Sequence, residues 1–251
     1  MSGLGKLVVL LALVLIGPVL ALAGSTARFG QDWRTADRSS AAIAPAPGET
    51  PEAVVSVWAA RAFNWRGLLA AHTWIATKPE NAPGYTVHQV VGWRGRWGGS
   101  VVVSSSDLPD RHWYGQPPHL VKELRGPDAA RAIPKILEAV DTYPYTHEYR
   151  LWPGPNSNTF TAWIVRRVPE LRVELPAIAI GKDFLEGGRI AAVAPGGRGF
   201  QLSLFGLVGA IVGVEEGIEV NLLGLVFGVD PLGPAIKLPG IGRIGFGGAQ
   251  V

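Results

Sequence analysis

The apolar stretch near the start of the chain constrains the fold more than any other feature. Residues 7–23 read LVVLLALVLIGPVLALA and carry no charge, and Lys6 precedes them. A helix packed in a globular core normally has a polar face, which this stretch lacks. Its length is close to the ~17–25 apolar residues that cross a bilayer, and the small-x-small triplet at 21–23 is typical of signal-peptide cleavage. We predict that residues 1–23 are a signal peptide or an N-terminal membrane anchor, with the rest of the chain beyond the membrane.

Composition narrows the classes of function. The chain has no cysteine, which excludes disulfides, thiol nucleophiles and cysteine-ligated metal sites. The net charge is only +3 and the arginines are scattered, so no nucleic-acid partner is predicted. The acidic and histidine residues at 107–119 lie among prolines and are interpreted as a solvated loop rather than a metal site. No metal and no cofactor is predicted.

Shifts in composition divide the chain beyond the leader into three parts. Residues 24–52 are small and polar with an Ala-Pro-Ala-Pro run, and we predict a flexible linker there. Residues 53–200 contain the strand and helix patterns of a folded core. Residues 201–251 are glycine-rich and apolar, and we predict a β-hairpin appendage that turns at residues 215–217.

The core patterns predict an α+β fold in which an antiparallel sheet packs on helices. Apolar and β-branched runs predict strands at 54–60, 68–78, 85–93 and 99–103. Gly126-Pro127 predicts the start of one helix. The polar run 156–159 predicts the start of a second helix, which Pro169 ends.

The sharpest local feature is PNSNTFTAW, which begins at Pro155. A serine at a helix start lies beside free backbone N–H groups, which are used either for helix capping or for holding an oxyanion. Serine is a poor nucleophile at neutral pH and needs a base within hydrogen-bonding distance. The candidate nucleophile is Ser157, and the candidate base is His72 in an otherwise apolar strand. Simple capping of the helix by Asn156 or Ser157 is the alternative.

The order of these elements resembles the circularly permuted papain-like hydrolases and acyltransferases, whose relatives include the desumoylating isopeptidases and lecithin:retinol acyltransferase. In that superfamily a histidine on an early strand precedes an Asn-Cys-Asn-x-Phe type of motif at a helix start. The resemblance implies a permuted papain-like arrangement, with Ser157 in the place of the cysteine and His72 in the place of the histidine. His88 or Gln89 then stands where a second polar partner orients the histidine. The serine departs from the pattern, because an alcohol does not ionise as a thiol does.

A nearer resemblance covers most of the chain. The stretches RAFNWRGLLAAHTWIATKP, WPGPNSNTFTAWIVRRVPEL, LPAIAIGKD, EEGIEVNLLGL and LPGIGR are similar to the bacterial envelope family known as domain of unknown function 3750. That resemblance implies an envelope location and brings no established activity.

Together these features predict a protein of the cell envelope, on the periplasmic face of the inner membrane or in the periplasm, with one of three roles. The first role is a serine-type hydrolase or acyl or peptidyl transferase that acts on amide or ester bonds of envelope components. Its ligand-binding side chains are then Asn156, Asn158, Thr159 and Tyr145. The second role is a non-catalytic module that binds a cell-wall peptide or lipid in the same cleft. The third is a structural protein that contacts the membrane through its N-terminal segment and its apolar hairpin.

Overall fold

The computed structural model describes residues 2–23, 30–246 and 251. The other positions of the predicted leader, linker and appendage lie outside the described residues. Within the described part, twelve strands form two antiparallel sheets, and three α-helices accompany them. The helices are α1 (Gly3–Ala23), α2 (Gly126–Asp141) and α3 (Ser157–Arg167).

The first sheet is the centre of the core. Its strands are β1 (Val54–Arg61), β2 (Ala71–Lys78), β3 (Thr86–Val90), β4 (Val102–Ser106) and β5 (His119–Arg125). They lie in the order β4-β3-β2-β1-β5, and each neighbouring pair is antiparallel. The antiparallel sheet and the α+β class that the sequence predicts are therefore confirmed. Strand β5 has no predicted counterpart, because its sequence HLVKELR carries three charges and reads as a polar loop.

The two faces of this sheet are covered by different parts of the chain, because successive side chains of a strand point to opposite faces. Helices α2 and α3 cover one face, where Ile75 and Phe160 belong to the same apolar cluster. On the other face, Trp74 and Trp113 belong to a second cluster. The face to which a residue of β2 points therefore decides whether it can meet α3.

The second sheet follows the chain without a crossover. Its strands are β6 (Ala191–Val193), β7 (Gly199–Leu204), β8 (Val208–Gly213), β9 (Gly217–Leu222), β10 (Leu225–Asp230), β11 (Ala235–Leu238) and β12 (Gly242–Gly245). The sheet begins earlier than the predicted boundary at residue 201, and the predicted long hairpin is four strands. Each arm folds back at a left-handed glycine, Gly206 (φ 72°) in one and Gly224 (φ 82°) in the other, which glycine adopts without steric cost.

The described part of the predicted linker is attached to the core. The Asp110 carboxylate is buried and accepts hydrogen bonds from the Ser40 hydroxyl (2.8 Å), the Ile43 amide (2.7 Å) and the Ala44 amide (3.0 Å). The Tyr85 hydroxyl donates to the carbonyl of Pro45 at 3.0 Å. Residues 40–45 are therefore a strap across the tryptophan-bearing face of the first sheet rather than a flexible linker. Asp110, which the sequence places in a solvated loop, is the group that fixes it.

Helix α1 contains most of the predicted leader, and its described apolar side chains include Val8, Leu11, Leu15 and Val19, all exposed. It lies against the chain at residues 64–68 and at β11. Among the described residues, no helix meets the combined length and apolarity needed to cross a membrane.

Replacing Asp110 with alanine is expected to release the strap. The change removes the carboxylate oxygens that accept from the Ser40 hydroxyl and from the Ile43 and Ala44 amides, and donors left without a partner cost about 1–3 kcal/mol. Hydrogen exchange at those two amides should accelerate, and the denaturation midpoint should fall. The exposed Glu80→Ala substitution is the control for loss of a charge. Unchanged exchange in Asp110→Ala would show that the strap is held by other contacts.

Candidate functional site

The start of α3 is organised by Asn156 at its N-cap. The Asn156 Oδ1 atom accepts from the backbone amides of Asn158 (2.9 Å) and Thr159 (3.2 Å), and the Thr159 hydroxyl accepts from the Asn156 amide (3.1 Å). This reciprocal arrangement is a capping box, which satisfies helix-terminal donors that otherwise have no partner. The polar run at 156–159 therefore starts the helix in the way that the capping interpretation predicts.

The same side chains bind the segment at 180–181. The Nδ2 atoms of Asn156 and Asn158 both donate to the Ile180 carbonyl, at 3.0 and 2.8 Å. The Thr159 hydroxyl donates to the Gly181 carbonyl at 2.8 Å. A Cβ atom at Gly181 (φ +101°) would lie 2.4 Å from the Asn156 Nδ2 atom, so only glycine allows this close approach. The predicted ligand-binding groups of Asn156, Asn158 and Thr159 are thus engaged in a joint between α3 and this segment.

Ser157 is the first residue of α3 and is 6% exposed. Its carbonyl accepts from the Thr161 hydroxyl at 3.2 Å. Within the described part of the chain, its own hydroxyl has no hydrogen-bond partner. The predicted nucleophile is therefore well placed beside the helix N–H groups, and it lacks the contact with a base that would activate it.

His72 points away from α3. Its neighbour Thr73 donates to the Asn158 Oδ1 atom at 2.9 Å, so Thr73 faces the helix and the His72 ring lies on the opposite face of β2. There the imidazole stacks on Trp113 with ring centroids 3.6 Å apart, and its Nε2 atom is 3.2 Å from the Gln89 Oε1 atom. Burial lowers the pKa of His72 to about 3, against the hydrogen bond to Gln89 that raises it. The ring is neutral at pH 7 and is a weak base.

His88 lies on the face that α3 covers, since it pairs with Ile75 of β2. Both of its ring nitrogens are occupied: Nε2 is 3.0 Å from the Thr77 hydroxyl and Nδ1 is 2.8 Å from the Ser104 hydroxyl. Burial lowers the pKa of His88 to about 4, against a raising effect of Asp141. This histidine joins three strands of the sheet.

The structure therefore brings some predicted site residues together and separates others. His72 and Gln89 form a pair, while no hydrogen bond joins Ser157 to His72 or His88 in the described residues. Tyr145 lies elsewhere: its hydroxyl accepts from the Gly187 amide at 3.1 Å, and its ring contacts Phe184. No group of three acidic or histidine side chains among the described residues is placed to hold a metal.

A chain of buried ion pairs starts one residue beyond the joint. It alternates in sign and joins the core segment 174–182 to strands β9 to β12. Its members are Lys182, Glu219, Lys237, Glu174, Arg243 and Asp230, with successive contacts of 2.5, 2.6, 2.6, 3.1 and 2.6 Å. Burial alone would raise the pKa of Glu219, but Lys182 and Lys237 lower it. Burial would likewise lower the pKa of Lys182, but Glu219 raises it, so both groups are charged in the interior.

The opposite side of the second sheet, which we call the outer face, is apolar and exposed. Cross-strand pairing aligns one residue from each of six strands into a continuous row: Phe200, Val212, Ile218, Val229, Ile236 and Ile244. These side chains are 44–57% exposed. Two further rows follow along the strands, Leu202-Ala210-Val220-Phe227 and Leu204-Val208-Leu222-Leu225. No charged residue of the described strands belongs to these rows.

The sequence interpretation includes an apolar hairpin that contacts the membrane, but it misses the buried ion chain and the orientation of the second sheet. Their signal is the strict alternation in Phe200–Leu204 and Ile218–Leu222, which is the period of a strand with one buried face. In such an alternating strand the apolar residues are normally assigned to the buried face. Here Gln201, Ser203, Glu219 and Asn221 are the buried residues, and the sheet has its pattern inverted.

Comparison with models of known protein families gives a match. The model of a family described as "Protein of unknown function (DUF3750)" matches residues 52–184, just over half of the chain. The matched part contains the first sheet, α2, α3 and the joint at 180–181, whereas the stretches at 215–225 and 238–243 lie outside it. No curated protein and no solved structure matches the chain.

Asn156→Ala is expected to destabilise the protein by about 2 kcal/mol, because it removes the cap and the donor to two carbonyls. Ser157→Ala should change the free energy of unfolding by less than about 0.5 kcal/mol, since the hydroxyl makes no hydrogen bond to a described residue. Guanidinium unfolding of the two variants, one residue apart on the same helix turn, makes the comparison. Equal losses in both would contradict the capping role.

Proposed function

The chain belongs to the DUF3750 family of proteins of unknown function, and we propose that it is a lipid-facing module of the bacterial cell envelope. It is exported by its leader and rests on the membrane with the outer face of the second sheet. The leader, as a signal peptide or as an anchor, supplies the location. The inverted pattern of the second sheet is the observation that carries the proposal.

The outer face has the size of an interaction surface. Across the four strands β7 to β10, three rows about 6.7 Å apart cover about 14 by 13 Å, and the first row continues over six strands about 4.8 Å apart to a length of about 24 Å. Soluble monomers rarely expose a contiguous apolar patch above a few hundred Å² unless it binds something. Since these rows contain no charged group, their partner is apolar.

Lipid acyl chains are the occupant that the surroundings favour over a second copy of this chain. Helix α1 lies against β11, and its exposed side chains Val8, Leu11 and Leu15 are apolar too. An apolar segment whose sequence predicts membrane targeting therefore lies beside the second sheet. Burying a footprint of about 200 Å² is worth about 5 kcal/mol at about 25 cal/mol per Å². That is comparable to the marginal binding that a single myristoyl chain provides, so stable attachment needs a second signal.

We also propose that the core is a permuted papain-like domain in which the helix start acts as a joint rather than as a nucleophile site. The order of elements supports the arrangement: a strand with His72, the strand with Gln89, and then α3 beginning in Asn-Ser-Asn-Thr-Phe. The joint is supported by the hydrogen bonds of Asn156, Asn158 and Thr159 to residues 180 and 181.

A serine hydrolase is the second candidate, and one observation favours it. The Ser157 hydroxyl lacks a partner among the described residues and lies at the first position of α3, where backbone amides are suited to an oxyanion. The geometry supports this role less well, because general-base catalysis works best with a base whose pKa lies near the operating pH. Burial lowers the pKa values of His72 and His88 to about 3 and about 4.

The membrane proposal is tested by placing a probe on the outer face, which is simple because the chain has no cysteine. We expect a bimane label on Val212→Cys, in the full chain, to be quenched by lipids brominated on their acyl chains. The label on Leu137→Cys is the matched control, because Leu137 is a similarly exposed apolar residue on α2. It should remain unquenched.

Both variants carry the leader, and attachment of the chain by the leader alone would give no quenching at residue 212. Absence of quenching at that position would therefore contradict the proposal. Association of two chains through the outer face would instead bring two labels at residue 212 together. A pyrene excimer at that position that persists when vesicles are added would favour the second copy as the occupant.

For the second candidate, a serine-reactive phosphonate is expected to leave the protein unlabelled, because no base among the described residues forms a hydrogen bond with the Ser157 hydroxyl. A covalent adduct that is lost in Ser157→Ala but retained in Ser106→Ala would reverse the ranking of the two functions.

A further inference from the structure

Two short 3₁₀ helices lie at the same end of the first sheet. Residues Asn64–Leu68 connect β1 to β2, and Gly92–Trp97 lies in the connection from β3 to β4. Since β1 to β4 are antiparallel neighbours, alternate connections emerge at the same end. The sequences of these helices are NWRGL and GWRGRW, so tryptophan and arginine are concentrated there.

The tryptophans of this end are exposed. Trp97 is 88% exposed, and Trp65 and Trp93 are about half exposed. An indole ring with its N–H group suits the boundary between water and hydrocarbon, where tryptophan is enriched in membrane proteins. Because these exposed rings lie on short connections at one end of the sheet, they are able to reach such a boundary.

The arginines of this end are free of acidic partners. Arg66, Arg94 and Arg96 form no ion pair with any residue that the structure describes. Arg66 lies 5.3 Å from the centroid of the Trp65 ring. In the adjoining loop, where the Tyr149 ring lies against Gly92, Glu148 is already paired with Arg150 at 2.9 Å. The end therefore carries three uncompensated positive charges beside exposed aromatic rings.

This end of the first sheet contacts turns of the second sheet. The Arg61 guanidinium, at the end of β1, donates to the Gly240 carbonyl at 2.8 Å, in the turn between β11 and β12. The Trp152 indole donates to the Leu223 carbonyl at 2.9 Å, in the turn between β9 and β10. Leu223 and Phe205, at two turns of this edge, are exposed. The cationic end thus adjoins the border of the outer face.

We infer that this end binds anionic lipid headgroups and so makes membrane attachment depend on lipid charge. The inference rests on the proposed function, in which the outer face meets the acyl chains. Arginine near a surface that carries anionic lipid strengthens binding by about fivefold per residue, so the three arginines together contribute about 100-fold. The pairing of an apolar surface with a cationic one is the two-signal requirement for stable attachment.

The test compares the full chain on vesicles of phosphatidylcholine alone and of phosphatidylcholine with about a third phosphatidylglycerol. Partitioning by flotation should favour the anionic vesicles by about 100-fold for the wild type. The combined variant Arg66→Gln, Arg94→Gln and Arg96→Gln should lose most of that preference. Its control is Arg125→Gln, Arg131→Gln and Arg189→Gln, which removes three exposed but ion-paired arginines away from this end and should retain it.

Salt provides the second readout, since the Debye length falls from ~10 Å at 0.1 M to ~3 Å at 1 M. The preference for anionic vesicles should disappear at high salt in the wild type. Equal preference in the two triple variants would overturn the inference, as would displacement by inorganic phosphate, which would identify a phosphate site instead. Quenching at residue 212 that persists without any dependence on lipid charge would overturn this inference alone and leave the proposed function standing.

Discussion

Glu219 lies between two lysines in the interior of the molecule, and the orientation of the second sheet depends on it. Its carboxylate is 2.5 Å from Lys182 of the core and 2.6 Å from Lys237 of β11. Removing one partner from a buried ion pair costs about 3–5 kcal/mol, because the remaining charge is left without compensation. The pairing is therefore specific: turning the sheet over would leave Lys182 alone in the core and expose the acidic side of β9. The six-member ion chain therefore forms only when this face of the sheet packs against the core.

The inverted pattern of the second sheet follows from this choice. Each strand has only two faces, so strands that turn Glu219, Asn221 and Lys237 inward must turn their apolar residues outward. In water such a sheet loses the hydrophobic stabilisation that normally holds a sheet to its core. The proposed contact with lipid would restore that term without disturbing the ion chain, because the two sets of side chains lie on opposite faces. An inward polar face and an outward apolar face are thus two consequences of a single register, and the proposed membrane surface would suit both.

The sequence predicts elements whose signals are local. Helix α3 is one example: Asn156 and Thr159 supply the cap, Pro169 lies just beyond the last turn, and the observed helix is Ser157–Arg167. The role of His72 is the opposite case, because a shift of one residue along β2 exchanges the face that meets α3 for the face that meets Trp113. The alternation of polar and apolar residues in the second sheet is ambiguous in the same way. A period of two separates the residues of one face from those of the other, but it does not say which face is buried. The deciding contact, between Lys182 and Glu219, joins residues that are far apart in sequence and is visible only in the fold.

The features singled out in the core and in the second sheet are connected through residues 180–182. Asn156, Asn158 and Thr159 hold the carbonyls of Ile180 and Gly181, and the next residue is the buried Lys182. A helix start that would serve an enzyme as an oxyanion site serves here to fix the backbone from which that lysine reaches Glu219. Precision is required of such a joint as much as of an active site, since displacing Lys182 by 1 Å would weaken contacts of 2.5 Å to a buried carboxylate. The chemistry of a capped helix and a close glycine can thus serve to orient a segment, and the outward apolar face of the second sheet, which we propose contacts lipid, depends on that orientation.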